Sequence, residues 1–264
     1  SSWQLNSGLR LGMYDFGEDR FLNAEPRLSV AWQCAEKLSL KASYARTRQN
    51  MHLVGHSGLK LPTDFWLPAN RNLEPENSDQ FALGVVRTLP MKLELQIEAY
   101  HKRMTDIVNL LPGRSYVSIF EEGIEQYYTE GSLTQGVGQS TGLEFLLRKR
   151  KGAFTGWIAY TLSWTQAEFE QLNQGNRFWM DHDRRHELSL VGTWRWSPQC
   201  KMSAAWTYGS ASPYTVPTGK YEVYVPSTGN VETVWITDEK NNRRGRAYHR
   251  LDISMEWVKS HEKW

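Results

Sequence analysis

Cysteine is nearly absent: the 264 residues hold two, Cys34 and Cys200. Two thiols exclude a disulfide framework and fall short of the usual ligand count of a zinc site. Long apolar runs are missing as well, the longest being the stretch Trp157 to Tyr160. A membrane-spanning helix takes about 20 such residues, so helical insertion is excluded. Strand-built membrane proteins escape that exclusion, because their apolar residues fall on every second position. Neither charge is in excess, with 31 Lys plus Arg against 29 Asp plus Glu. A nucleic-acid partner calls for a basic surplus, so none is expected. Ser1-Ser2-Trp3 offers no basic start and no apolar core, so no targeting signal is read at that end. Aromatics, by contrast, are plentiful: 12 Trp, 12 Tyr and 9 Phe.

What is present is alternation with period two. Leu38, Leu40, Ala42 and Tyr44 are apolar, while Ser39, Lys41 and Ser43 between them are polar. Leu93, Leu95, Ile97 and Ala99 alternate with Lys92, Glu94, Gln96 and Glu98, and Leu251, Ile253, Met255 and Trp257 alternate with Arg250, Asp252, Ser254 and Glu256. Leu188, Leu190, Trp194 and Trp196 repeat the pattern, as do the stretches 3–12, 26–34, 78–88, 138–149, 153–165 and 200–210. Side chains on a strand point to opposite faces in turn, so each stretch has one apolar and one polar face. Ten strands and no helical stripe result. The chain is all-β.

The connections alternate too. Ala35-Glu36-Lys37, Pro90-Met91, Arg150-Lys151-Gly152 and Ser197-Pro198-Gln199 are short, whereas 13–25, 49–77, 104–137, 166–183 and 211–246 are expected to be long loops. Several exceed the length, about 12–15 residues, at which a loop in a compact soluble domain becomes suspect. A soluble sandwich would bury the apolar faces against each other, whereas a membrane barrel turns them to lipid. Three features favour lipid. The strands are expected to run about nine to thirteen residues, near the tilted span of a transmembrane strand. The apolar phase is expected to be free of charge, while Arg27, Lys41, Glu94, Glu98, Glu144, Arg148, Glu187 and Arg195 lie in the polar one. Rings in the apolar phase gather near strand ends, at Tyr44, Tyr160, Trp164, Trp194, Trp206, Tyr208 and Trp257, where headgroup interfaces favour them. The predicted fold is an antiparallel up-and-down transmembrane β-barrel, seen in part.

Two stretches carry a resemblance. Lys37-Leu-Ser-Leu-Lys-Ala-Ser-Tyr-Ala-Arg46 is followed, after a loop, by Asn72-Leu-Glu-Pro-Glu-Asn-Ser-Asp-Gln-Phe-Ala-Leu-Gly84. That order resembles TonB-dependent outer-membrane receptors. Asp183-Arg-Arg-His-Glu-Leu-Ser189 and Tyr248-His-Arg-Leu-Asp-Ile-Ser254 look like late-barrel strands of Bacteroidetes-type members. The resemblance spans residues 1–264 and only the barrel part of the family. It implies residence in the outer-membrane lipid and energy-coupled import of a small nutrient ligand: a metal chelate, cobalamin or a glycan. It implies no enzymatic activity and no cofactor. The family barrel has about 22 strands around a plug. The segment is therefore expected to be the C-terminal part of a longer protein that ends at Trp264 by truncation. The plug domain, through which the TonB complex acts, is expected outside it. A surface lipoprotein is a further partner in some such receptors. The other readings of these residues are a smaller outer-membrane barrel acting as an adhesin or passive pore, and a soluble β-rich binding module.

No catalytic constellation stands out. His182 and His186, flanked by Asp181 and Asp183, enter a strand and are expected to form a charged rim with Arg184 and Arg185, not a metal site. Gly136-Val-Gly-Gln-Ser-Thr-Gly142 lacks the Lys and the helix of a phosphate loop and is read as a flexible lead into a strand. Arg148 to Lys151 is expected to form a solvated turn. Ligand contacts are expected from the long loops, through His56, Asp64 and Trp66 in 49–77 and Tyr221 and Trp235 in 211–246. Aromatic and hydrogen-bonding groups mixed in this way suit stacking against a planar or ring-shaped ligand.

Overall fold

The computed structural model describes residues 1–54, 65–111, 133–225 and 230–259. It begins with three long strands, β1 (Ser2–Phe16), β2 (Asp19–Ala35) and β3 (Leu38–Gln49). A small hairpin of β4 (Met51–Val54) and β5 (Phe65–Pro68) precedes β6 (Glu76–Leu89), β7 (Leu93–Leu110), β8 (Leu133–Lys149) and β9 (Phe154–Glu168). The two-residue β10 (Phe178–Trp179) leads to β11 (His186–Arg195) and β12 (Cys200–Gly209). Then come β13 (Pro213–Tyr214), the hairpin β14 (Gly219–Val225) and β15 (Asn230–Ile236), β16 (Arg243–Arg244) and β17 (Tyr248–Trp257).

The large sheet runs β1-β2-β3-β6-β7-β8-β9-β11-β12-β17, with β10 laid against β9. These ten long strands match the ten alternating stretches, and every pairing along the path is antiparallel. Among the described residues β1 and β17 each have one neighbour, so the sheet is open at both edges. The four short connections fall at one end, and the β4–β5, β13–β16 and β14–β15 pairs at the other.

Strand length departs from expectation. β1, β2, β7 and β8 run 15, 17, 18 and 17 residues, beyond what a bilayer requires, so they project past it on the loop side. Residues 13–25 are not a loop. The ladder of β1 and β2 continues to Phe16 opposite Asp19, leaving a two-residue turn in which Gly17 takes a left-handed φ of 59°. Likewise 104–110 belongs to β7, which keeps pairing through a bulge at Asp106, where φ is 60°. The bulge moves the inward phase from even to odd residues, so Met104 and Ile107 share one face. The glycine-rich stretch 136–142 is not a flexible lead but the regular interior of β8.

The two faces are chemically distinct in register. One row reads Leu5, Val30, Ala42, Leu83, Ala99, Leu143, Leu162; the neighbouring row on the other face reads Lys41, Gly84, Glu98, Glu144, Thr161, Glu187. The apolar face is bare: Leu83 is 67% exposed and Ile253 61%. Such a continuous surface exceeds what a soluble monomer shows and is the contact face of a barrel in lipid. Rings border it at both ends. Trp3 stacks on Trp32 at 5.2 Å near the turn end, and Tyr44 packs on Phe81 at 4.9 Å near the loop end. The apolar phase is not wholly free of charge. Asp79 shares it on β6 next to the Tyr44–Phe81 pair, Lys149 on β8 beside the short turn, and Arg87 on β6 in register with Leu38 and Leu95, where a long side chain snorkels toward the headgroups.

Candidate functional site

At the loop end, segments 169–183, 211–218 and 237–246 fold onto the strands and onto each other. The glycines of β8 make this possible. A Cβ at Gly136 would stand 2.5 Å from the Phe169 ring, and one at Gly138 would meet Met104 at 2.8 Å. With no side chains there, Phe169, Leu172 and Phe178 settle against Met104, Ile107 and Ala167 as a buried apolar cluster. Phe169 and Phe178 stack with centroids 6.0 Å apart. A second cluster forms where Val54 and Leu67 of the β4–β5 hairpin meet Leu110.

Polar groups staple this layer together. The β9–β11 ladder ends at Leu162 opposite His186, and beyond it the Asp183 carboxylate accepts the Thr165 amide at 2.7 Å. The same carboxylate pairs with Arg244 and lies 3.6 Å from the Arg185 guanidinium. Arg185 is held between two indoles, 4.8 Å from the Trp164 centroid and 4.6 Å from that of Trp179. Asn241 donates to the Trp179 carbonyl and to the Asp181 carboxylate, both at 2.6 Å. Lys240 crosses over, its Nζ donating to Asn109 at 2.9 Å while its ammonium lies 5.2 Å from the Phe178 centroid. Burial pushes the Lys240 ammonium below the ordinary lysine range, against a smaller opposing pull from Asp181. Arg184 pairs with Glu187 at 3.4 Å, so Arg184 and Arg185 both find carboxylates, as their sequence neighbourhood suggests.

The inward polar wall leads up to this layer. Glu25 is buried between Arg10 and Arg27, each 3.5 Å away. Nearer the turns, Glu94 accepts from Arg148 at 2.6 Å. Among the described residues no cluster of three metal-ligating side chains occurs. The arrangement is a charged, hydrogen-bonding wall with a stapled loop layer at its loop end.

Residues 1–264 match the family described as TonB dependent receptor-like, beta-barrel. The chain belongs to that family. No curated protein matches the sequence. Among solved structures, the chain resembles the FrpB iron transporter from Neisseria meningitidis, with TM-score 0.59 and 12% identity, over 98% of this chain and 36% of that one. It also resembles the ferripyoverdine receptor of the Pseudomonas aeruginosa outer membrane, with TM-score 0.58 and 10% identity, over 97% of this chain and 30% of that one. The ferric-catecholate import receptor Fiu from E. coli K12 gives TM-score 0.58 and 12% identity, over 98% and 36%. At such identities the likeness is one of fold. The chain spans about a third of the length of these receptors. As a TonB-dependent receptor β-barrel segment it is an outer-membrane protein.

The residues singled out for ligand contact sit on two separate hairpins of this receptor segment. Trp66 lies on β5 opposite Leu53 and is 54% exposed. Tyr221 lies on β14, exposed and opposite Val234, and Trp235 is one step along β15, opposite Lys220. His56 and Asp64 lie outside the described residues. The stapling residues Trp179, Lys240, Asn241 and Arg244 were not legible, because each meets its partner across 60 or more positions of chain. The one local signal is the charge-dense run 181–187.

Proposed function

We propose that the protein containing this segment is an energy-coupled outer-membrane transporter that captures a nutrient at the loop end and passes it through the barrel. The observation that carries the reading is the two-faced wall. The ten-strand sheet keeps a predominantly apolar face outside and charges of both signs inside, as in the ladder from Lys41 through Glu98 and Glu144 to Glu187. A wall this polar lines water or a plug, not a packed core. The ligand is a metal chelate, cobalamin or a glycan. The ferripyoverdine and ferric-catecholate receptors of like fold support putting a ferric chelate first. Trp66, Tyr221 and Trp235, together with His56 and Asp64, supply its aromatic and polar contacts. Residues 1–264 make up part of one barrel domain, and the late-strand motifs at Asp183 and Tyr248 support a place toward its C-terminal end. Energy coupling runs through a plug elsewhere in the protein.

Uptake of a radiolabelled ferric chelate by cells carrying the full-length gene tests this reading. Uptake should stop when the TonB complex is removed. Uptake that continues unchanged identifies a passive pore and overturns the proposal. In the same cells Trp66→Ala with Trp235→Ala should weaken binding at the surface; unchanged affinity removes these two from the site.

A further inference from the structure

At the loop end the lipid-facing side turns polar across four neighbouring strands. Just beyond the Tyr44–Phe81 ring pair, register sets Arg46, Asp79, Arg103 and Gln139 side by side on β3, β6, β7 and β8. Arg46 is spent on Asp79, donating through Nε at 2.8 Å and Nη2 at 2.9 Å, and the Tyr44 hydroxyl donates to the same carboxylate at 2.6 Å. Arg103 is not spent. Among the described residues its guanidinium makes no hydrogen bond or ion pair and meets the Asp79 carboxylate only as a neighbouring charge. His101, one row closer to the membrane centre, shares a hydrogen bond with Thr141 through Nδ1 at 2.9 Å. Both side chains are exposed.

Two concavities meet at this pair. A cleft of about 420 Å³ opens between Tyr44, Arg46, Phe81 and Arg103, and one of about 290 Å³ between Arg103, Gln139, Gln166 and Arg177. His101 and Arg103 line both. We propose that this furrow is a binding site for the phosphorylated headgroup of an outer-leaflet lipid, with Arg103 as its anchor. The proposal rests on the barrel's orientation in the membrane and adds a site on its outside, away from the transport path.

Three observations choose this occupant. The furrow lies where the aromatic border ends, which is the depth of headgroups. Toward the membrane centre, past the Phe81–His101–Thr141 row, Leu83, Ala99 and Leu143 form the next row, so acyl chains have an apolar wall below the headgroup. The charge is also complementary. Arg46 and Arg103 against Asp79 leave one net positive charge, while Arg177 is matched by Glu168 at 2.9 Å. A guanidinium at a partly desolvated edge binds phosphate oxygens through paired, charge-assisted hydrogen bonds. A neutral lipid or an apolar protein face would leave Arg103 facing the bilayer unpaired.

The test uses the full-length receptor in phosphatidylcholine nanodiscs doped with bisphosphorylated lipid A or with its dephosphorylated form, bound lipid being counted by native mass spectrometry. The wild type should retain the phosphorylated lipid and not the dephosphorylated one, a comparison that needs no variant. Arg103→Gln should weaken retention about tenfold, the effect of losing one charge-assisted contact. Arg103→Lys should retain most of it, and Lys41→Gln, on the inner face, all of it. Equal retention by Arg103→Gln and wild type overturns the proposal, as does equal binding of the two lipids. Full displacement of the lipid by inorganic phosphate also overturns it, because the site would then recognise a free anion. Heat-modifiable gel migration is recorded for each sample; its absence in the wild type overturns the membrane orientation and this site with it.

Discussion

Arg244 grips Asp183 at two points, donating through Nη1 to the backbone carbonyl at 3.1 Å and through Nη2 to the carboxylate. The two residues are 61 positions apart, and the Asp183 side chain is fully buried. One carboxylate thus takes up the Thr165 amide of β9 beyond the end of the β9–β11 ladder and fixes the second long loop onto the first.

Asp183→Ala in the full-length receptor should therefore free the loop layer while sparing the sheet. Breaking a fully buried pair costs about 3–5 kcal/mol, and the partial exposure of Arg244 brings the expected loss nearer about 2 kcal/mol. Hydrogen exchange should accelerate across 211–218 and 237–246 and stay unchanged in β1 to β3. Unchanged exchange in those loops would show that the ion pair does not hold them.

Gly136→Ala should destabilise by about 1–3 kcal/mol, as overpacking does, because its Cβ collides with the Phe169 ring and the Glu168 carbonyl. Gly8→Ala is the matched control, since a Cβ at Gly8 meets nothing within 4 Å. Melting of the heat-modifiable gel band measures both. Equal midpoints for the two variants would mean that Phe169 does not depend on the space above Gly136.

The β4–β5 hairpin should loosen in acid. Burial holds the His52 imidazole below its ordinary range, and the Leu73–Glu74 backbone and the Asp106 charge oppose this only in part. A histidine with a depressed folded value contributes stability above its unfolded value, about 6.5, and loses it as pH falls toward the folded one. Exchange protection of 51–54 and 65–68 should fall as the pH drops below the ordinary histidine value of about 6.5. His52→Leu should flatten that dependence, and a slope equal to that of the wild type would assign the effect to another group.

Strand identity was legible because alternation is a local property: the pattern of Leu93 to Ala99 announces a face whatever pairs with it. Strand ends were harder to read. Beyond the bilayer the pressure to alternate vanishes, so the hairpin that carries Asp15 and Arg20, paired at 2.7 Å, reads as loop while its backbone ladder continues. At Asp106 the bulge shifts the phase and breaks the pattern inside a continuous strand. The site was legible only in its local half. Asp183, Arg184 and Arg185 sit in one charged run, but nothing near Arg244 or Asn241 names a partner so far away. Counting aromatics drew attention to Trp66 and Tyr221, yet composition carries no direction, and both proved exposed on separate hairpins.

The central claim is that this segment is a barrel wall with lipid on its apolar face. A nitroxide scan of single cysteines along β7, from Leu93 to Ile107, in the full-length receptor with Cys34→Ser and Cys200→Ser, tests it most directly. Labels at Leu95, Ile97 and Ala99 should be accessible to oxygen and shielded from a water-soluble nickel reagent. Labels at Glu94, Gln96 and Glu98 should show the reverse, and the period should slip by one residue at Asp106. Accessibility without a period of two, or with apolar positions open to nickel, would contradict the account.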